Sequence, residues 1–443
     1  MTVSADKMRL AWFTIMSPRT WNDPDQGLGY DWSSTELYLE SARTLERGLF
    51  DMLIVADGYG IVDFYQDSID EYVRHGLEGA GLMQPLPYLA AIATVTRHLG
   101  LVSTMSTHVY PPYLLAREMA TLDHVSKGRA GWNIVTSALD IDAQNFGADK
   151  LPPPNERYDR ADEFVDVCER LWASWDPDAV VMNRKTGEFA DPSKVRQINF
   201  DGKWFKVRGP LNTVPGPQGR PLYVQAGGSP RGMDFAAQHA DVVISHKNSR
   251  EGMLEYCTEV KERAKKFGRD PKSVKVFFTF KPVIADTQEE AEAARARMHR
   301  APAASTAIGL ANLSARIGMD VSVYPLDEPL TLEMIPSDSQ GMRGVFYQYY
   351  SEGGTPPTLR EIAAWEATKE SLPIVGTPES VADEIEELRE YAGFDGLAIR
   401  SALMPATVTQ IVDRLIPVLQ DRGLVRREFR RSTLRGNLFD EEA

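Results

Sequence analysis

Eight times along this 443-residue chain, a short apolar run closed by a small or polar residue is followed by a stretch whose apolar positions recur at helical spacing. Residues 8–15, 51–56, 99–107, 130–137, 222–226, 241–245, 274–285 and 396–401 read as strands. Helices are expected over 34–48, 85–97, 112–125, 156–175, a segment ending at His239, 252–267, 379–392 and 407–419. This alternation predicts an α/β fold, a (β/α)8 or TIM barrel, as a single domain over 1–443. A doubly wound open sheet is the alternative. Such a barrel takes roughly 250 residues before insertions. Three stretches that break the rhythm, about 58–83, 176–219 and 287–375, account for the excess. They are expected at the C-terminal face of the strands as a lid. The second should hold a hairpin, QINFDGKWFKV, turning at Asp201-Gly202. The third should hold helical pieces joined by YPLD, SEGGTPP and PIVGTP loops. An arm follows over 421–443.

Composition excludes several roles. A net charge of −14 argues against a nucleic-acid or anionic-membrane surface. No apolar run approaches the ~20 residues that span a bilayer. The first residues lack a secretory pattern, so the expected location is cytoplasmic. Two cysteines, Cys168 and Cys257, are too few for a disulfide framework. All seven histidines are isolated, so no metal site is expected. No G-x-S-x-G nucleophile elbow occurs.

A barrel presents its chemistry at the C-terminal ends of its strands. Here those ends are Thr14, Asp57, Thr104, Ser106, Thr136, Ser137, Ser245, His246, Lys281 and Ser401. The clearest run is 131–137, GWNIVTS, which is mostly apolar and ends in two hydroxyls. Trp132 and Asn133 must point to opposite faces. A buried Asn needs a ligand or backbone partner. Asp57 could accept from a ring N–H of a cofactor, or cap a loop. QAGGSPRG, 225–232, runs from a strand end through glycines into a helix start, where free N–H groups and the helix dipole attract a phosphate. Ser229 and Arg231 would add a hydroxyl and a charge; the alternative is a plain turn capped by Ser229. Tyr158, early in NERYDRADEF, could reach a phosphate oxygen or sit at an interface. His108 and His246 are candidate proton-transfer groups. Trp12, Phe13, Trp21, Tyr59, Tyr110 and Phe280 could wall an apolar pocket.

These segments also carry a resemblance. LERGLFDMLIVADG, YPPYLLAREMATLDHVSKGRAGWNIVTS, NERYDRADEF, FADPSKV, YVQAGGSPRGMDFAAQHAD and PVLQDRGLVRREFRRSTLRGNL occur in this order over nearly the whole chain. They resemble the flavin-dependent monooxygenases of the bacterial luciferase superfamily, in the branch of nitrilotriacetate, dibenzothiophene sulfone and long-chain alkane monooxygenases. The resemblance implies a barrel that binds FMN as FMNH2, supplied by a separate NAD(P)H:flavin reductase. It implies oxidation of a small organic compound with O2 via a flavin peroxide; the Trp, Tyr and Phe side chains near strand ends fit an aromatic or heteroaromatic substrate. It also implies a homodimer or homotetramer. By position, Asp57, Thr104, Asn133 and Thr136 would surround the isoalloxazine ring. Ser137, Tyr158, Gly228, Ser229 and Arg231 would lie toward the ribityl phosphate.

Two departures bear on catalysis. Ala138 follows VTS where alkane monooxygenase-like members carry a histidine. Arg316, in LSARIGMDVSVYPLD, stands where sulfone monooxygenase-like members carry one. Arg316 therefore joins His108 and His246 as a candidate catalytic residue. A fixed guanidinium suits an anionic or strongly polar substrate, or a peroxide; the alternative is an ion pair with acids of its own insertion. A flavin-binding protein without catalysis and a deazaflavin-dependent dehydrogenase are the competing functions. The arm 422–435 holds six arginines and is expected either to dock on a neighbouring subunit or to stay solvated.

Overall fold

The eight expected strands close into a cylinder. The structure, a computed structural model, describes residues 7–18, 21, 30–299, 305–335, 356–368 and 372–440. The barrel strands are β1 (Arg9–Ile15), β2 (Met52–Ala56), β3 (Gly100–Ser106), β4 (Ala130–Val135), β5 (Leu222–Gln225), β6 (Val242–Ser245), β7 (Lys275–Ile284) and β8 (Gly396–Arg400). Each pairs in parallel with its sequence neighbours, and β1 pairs with β8 to complete the ring. That last pairing excludes the open sheet. The helices between them are α1 (Thr35–Arg47), α2 (Pro85–Ala93), α3 (Pro112–Ser126), α4 (Pro154–Trp172), α5 (Pro230–His239), α6 (Arg250–Lys266) and α7 (Pro378–Ala392). α8 runs as Pro405–Gln410, a π turn Ile411–Leu415 and Ile416–Asp421. The π turn precedes Pro417, whose missing N–H interrupts the regular ladder. Among the described residues no helix is long and apolar enough to cross a membrane.

The period of two along each strand divides the core. Leu10, Trp12, Leu53, Val55, Leu101 and Trp132 pack outward against the helices. Ala11, Met52, Ile54, Val102, Val224, Ile244, Phe277 and Ala398 fill the barrel. Trp132 therefore faces out and Asn133 faces in. Trp12 and Phe280 also lie in the outer core and wall no mouth pocket.

The arm is only partly solvated, with Arg427 and Arg430 exposed. It folds back under its own barrel. Leu434 and Leu438 of the helix Leu434–Phe439 join the interior cluster and close the end opposite the mouth. Gly100 opens β3 because a Cβ there would fall 2.4 Å from Leu434 Cδ1. Arg426 pairs with buried Asp51 at 2.6 Å, and Arg435 with buried Asp241 at 2.8 Å. Two of its six arginines thus neutralise acids at the barrel floor.

The insertions divide differently from the expected single lid. The first and third share a second hydrophobic core, in which Val62, Tyr65, Tyr72 and Leu77 meet Ala311, Leu313, Ile317 and Ile362. Tyr72 Oη donates to the Ala311 carbonyl at 3.0 Å. The second insertion holds two antiparallel pairs, Val180–Asn183 with Glu188–Ala190 and Phe200–Asp201 with Lys206–Val207. Only the latter was expected, and its turn lies over residues 202–205 rather than at Asp201-Gly202. Glu163 of α4 anchors it by accepting from the N–H groups of Lys203, Trp204 and Phe205. PIVGTP, expected as a loop, contributes to a strand, Leu372–Gly376, that pairs with the upper half of β7. Pro373 and Gly376 argue locally against a strand, but an edge position tolerates both.

Candidate active site

β3 and β4 align Thr104 with Asn133 in register. Asn133 Nδ2 donates to Thr104 Oγ1 at 2.9 Å. Asn133 Oδ1 is buried and has no hydrogen-bond partner among the described residues, and the same holds for Gln225 Oε1 and Arg157 Nε. Native interiors rarely strand polar atoms in this way, and such groups call for a partner: water, an ion or a ligand. Gln225 and Arg157 were not singled out in the sequence. Arg157 stands beside Tyr158 in the first turn of α4, and that adjacency was the available signal.

Past β4 the chain turns sharply. Ser137 has φ of +60°, a left-handed conformation that costs an ordinary residue roughly 1 kcal/mol. Ser137 Oγ lies 2.8 Å from Ser106 Oγ, and Arg157 Nη1 donates to the Ser137 carbonyl at 2.7 Å. Asp142 accepts from the Tyr59 N–H at 3.3 Å and from the Ser137 hydroxyl. These contacts over-determine the strained residue, a pattern common at functional sites.

Around β5 the expected phosphate turn has a definite form. Ser229 caps α5 by accepting from the Gly232 N–H at 3.1 Å, so the plain capping role is real. The Tyr158 hydroxyl sits beside Thr136 and Gln225, against Gly232, where a Cβ would come within 2.7 Å of it. Burial raises the Tyr158 pKa, so it stays a protonated donor. Arg231 bonds Asp159 at 2.9 Å and also Asp162, which largely balance its charge. The sequence-predicted Thr136, Tyr158, Ser229 and Arg231 thus gather at one end of β4, β5 and α5.

Asp57 accepts from its neighbour's N–H, Gly58, at 2.9 Å. Burial, together with nearby Asp142, pushes its carboxyl up to about 7. The sign of the stability effect follows. The fold prefers the protonated acid, so stability falls as pH rises from about 3.8 to about 7 and the penalty persists above that range. Asp57→Asn is therefore expected to raise the melting temperature of flavin-free protein by roughly 2 °C more at about pH 8 than at about pH 4.5. Equal shifts at both pH values would show that the carboxyl is not perturbed.

The two histidines go to separate places. His246 lies past β6, with Nδ1 2.9 Å from Thr279 Oγ1 and its ring stacked 6.4 Å from Phe13. Although the residue keeps an exposed edge, desolvation of its ring by the surrounding protein atoms, reinforced by the Arg400 and Arg316 charges, pushes it down to about 3. It is therefore neutral at physiological pH and a weak base. His108 lines a cavity of about 680 Å³ between the β3–α3 loop and the hairpin, with Tyr110, Tyr113, Arg160, Trp204 and Arg208. β3 and β6 are not neighbours in the ring. Arg316 forms an ion pair with buried Glu366, as its alternative reading expected, yet remains close enough to His246 to affect its charge. Arg400, whose charge also acts on His246, was not picked out in the sequence. Among the described residues no group of three or more His, Cys, Asp or Glu side chains could hold a metal.

Fold and strand-end chemistry define an α/β-barrel enzyme with its site at the C-terminal face. The luciferase-like monooxygenase family model matches residues 8–396. The chain belongs to that family and is a flavin-dependent monooxygenase. It is 38% identical over 415 residues to dibenzothiophene-sulfone monooxygenase of Rhodococcus erythropolis, covering 92% of this chain and 90% of that protein. It is 38% identical over 419 residues to N-acetyl-S-(2-succino)cysteine monooxygenase of Bacillus subtilis, covering 94% and 92%. The crystal structure of DmoA from Hyphomicrobium sulfonivorans matches with a TM-score of 0.88 at 32% identity, covering 98% of this chain and 93% of that one.

Proposed function

We propose that this chain is the oxygenase of a two-component system that takes FMNH2 from a separate NAD(P)H:flavin reductase and uses O2 to oxidise a small organic substrate. The observation that carries this reading is the set of buried, unpartnered polar atoms, Asn133 Oδ1, Gln225 Oε1 and Arg157 Nε, on β4, β5 and the start of α4. A molecule with ring N–H groups, hydroxyls and a phosphate matches that donor and acceptor set. Asp57, Thr104, Asn133 and Thr136 would hold the isoalloxazine ring. Ser137, Tyr158, Gly228, Ser229 and Arg231, with Arg157, would hold the ribityl phosphate. Bound reduced FMN supplies the two electrons that let one oxygen atom enter the substrate while the other leaves as water.

The chain's own groups orient and enclose. The shared core of the first and third insertions is a body that can exclude water from the mouth. Asp57, with its carboxyl near neutrality, can hold or release a proton at the ring. His246 and His108 serve as neutral hydrogen-bonding groups rather than strong bases. A cytoplasmic location fits the proposed NAD(P)H-dependent reductase, and a homodimer or homotetramer is the assembly we favour. The relatives act on a sulfone and on a succinylated cysteine, so kinship supports the reaction type and leaves the substrate open.

The test is to load the protein anaerobically with FMNH2, add 18O2, and follow flavin absorbance and label in added organic compounds. Flavin reoxidation that differs from that of free FMNH2, with label in a product, is expected. Reoxidation identical to that of free flavin, with no label in any compound of a broad panel, rules the reading out.

A further inference from the structure

The cavity of about 680 Å³ beside His108 is lined by none of the residues placed around the flavin. Its volume falls among small-molecule sites, roughly 300–1,000 Å³. The β3–α3 loop and the start of α3 supply Tyr110 and Tyr113, α4 supplies Arg160, and the second insertion supplies Trp204 and Arg208. Long-range contacts hold these walls. Tyr113 Oη donates to the Pro210 carbonyl at 3.4 Å and accepts from the Asn212 N–H at 3.2 Å, which ties α3 to the insertion. Tyr110 Oη accepts from Gln84 Nε2 at 3.2 Å. Glu163 of α4 holds the Trp204 backbone through its N–H at 2.9 Å. The cavity is therefore built by tertiary structure rather than left between unattached loops.

The lining is cationic although the chain carries a net charge of −14. Among the described residues no carboxylate lines it. Two of its cations are balanced from outside: Lys206 pairs with Asp201 at 2.8 Å, and Arg160 lies in the field of Glu163. Arg160 also donates to the Thr107 carbonyl, and its guanidinium lies 4.7 Å over the Phe205 ring. His108 adds a neutral ring, because burial and the Arg160 and Arg157 charges lower its pKa. Arg208 differs. Among the described residues its side chain meets the uncharged Gln197 amide, whose oxygen, turned toward it, accepts from Nη2 and Nε at 3.0 and 3.2 Å. A guanidinium carries five donors in a planar fork, so those on Nη1 are left for a ligand or water. Aromatic rings offer stacking and a guanidinium offers paired donors to an oxyanion, and one ligand can use both.

We infer that this cavity binds a flat aromatic compound carrying a phosphate or sulfonate, its ring against Tyr113 and Trp204 and its anion on Arg208, at a site separate from the flavin. The two sites are neighbours. The His108 N–H donates to Ser106 Oγ at 3.1 Å, and that oxygen lies 2.8 Å from Ser137 Oγ.

The experiment is calorimetric titration of the protein, holding one equivalent of FMN, with 1-naphthyl phosphate, 1-naphthol and inorganic phosphate. The aryl phosphate should bind once per chain, at least roughly ten-fold tighter than either fragment, and its affinity should weaken as salt rises. Arg208→Gln and Trp204→Ala should each weaken it by roughly ten-fold while FMN affinity stays unchanged. Arg208→Lys should retain part of it. Arg208 is exposed, so the Arg208→Gln chain should melt as the parent does. The inference is overturned if the aryl phosphate binds no tighter than its fragments, if Arg208→Gln binds it as the parent does, or if it expels FMN. Flavin-free protein should bind it equally, which separates the two readings. A chain that takes the aryl phosphate but no FMN sinks the monooxygenase reading alone.

Discussion

A chain cut after Gln420 is expected not to fold. The cut removes Leu434 and Leu438, both fully buried against the barrel interior. It also removes two arginines that neutralise buried acids. Asp241 is 3% exposed at its side chain and is gripped by Arg220 and Arg435, each through two nitrogens at 2.8 and 3.1 Å. Burial alone would raise its carboxyl, but the two guanidiniums prevail and hold it below the usual range. Asp51, 1% exposed, loses Arg426 in the same cut. Each lost leucine costs about 2–5 kcal/mol. Asp51 left buried without Arg426 costs about 3–5 kcal/mol, while Asp241 keeps Arg220. Their sum, with the two leucines, is comparable with the 5–15 kcal/mol that typically holds a domain together. Leu434→Ala should show the graded version, a loss of about 3 kcal/mol in urea unfolding followed by circular dichroism. A truncated chain that stays soluble and melts cooperatively near the full-length temperature would refute the role assigned to this segment.

The second large effect concerns the turn after β5. Gly228→Asp should leave the fold intact and weaken FMN binding by about 100-fold. A Cβ at Gly228 would have no described atom within 4 Å, and its backbone is not left-handed, so a side chain costs little there. A carboxylate at this position faces the place proposed for the phosphate. Like charges a few ångströms apart at a protein surface repel by about 3 kcal/mol, roughly 100-fold in affinity. Riboflavin, which lacks the phosphate, is the control and should lose far less. Fluorescence titration of both flavins against parent and variant gives the answer. Equal losses for FMN and riboflavin would move the phosphate elsewhere; unchanged FMN affinity would remove it from this turn altogether.

Much of the scaffold was legible because its rules are local. The apolar runs, the proline at the start of α2 and the Ser229 cap each act within a few residues, and the eight strands fall within one or two residues of their expected limits. Gly131 to Ser137 was readable as a strand with a polar end for the same reason. Which face Asn133 took was not, since alternation sets opposition but not direction. Closure of the ring decided that, by placing Trp132 against Phe164 and Tyr223 in the outer core.

The sequence by itself determined the family, the count and order of barrel elements, and the polar strand ends on which a flavin site could be built. Tertiary structure alone decided the rest. Arg426 and Arg435 read as part of a basic arm, docked on a neighbour or solvated, until folding brought them to Asp51 and Asp241. Arg400 was passed over inside the strand ending at Ser401 until the barrel set it in register with Phe13. In each case the meaning of a charge lay in a partner far along the chain, and a charge buried or brought into a shared mouth takes its energy from that partner rather than from its sequence neighbours.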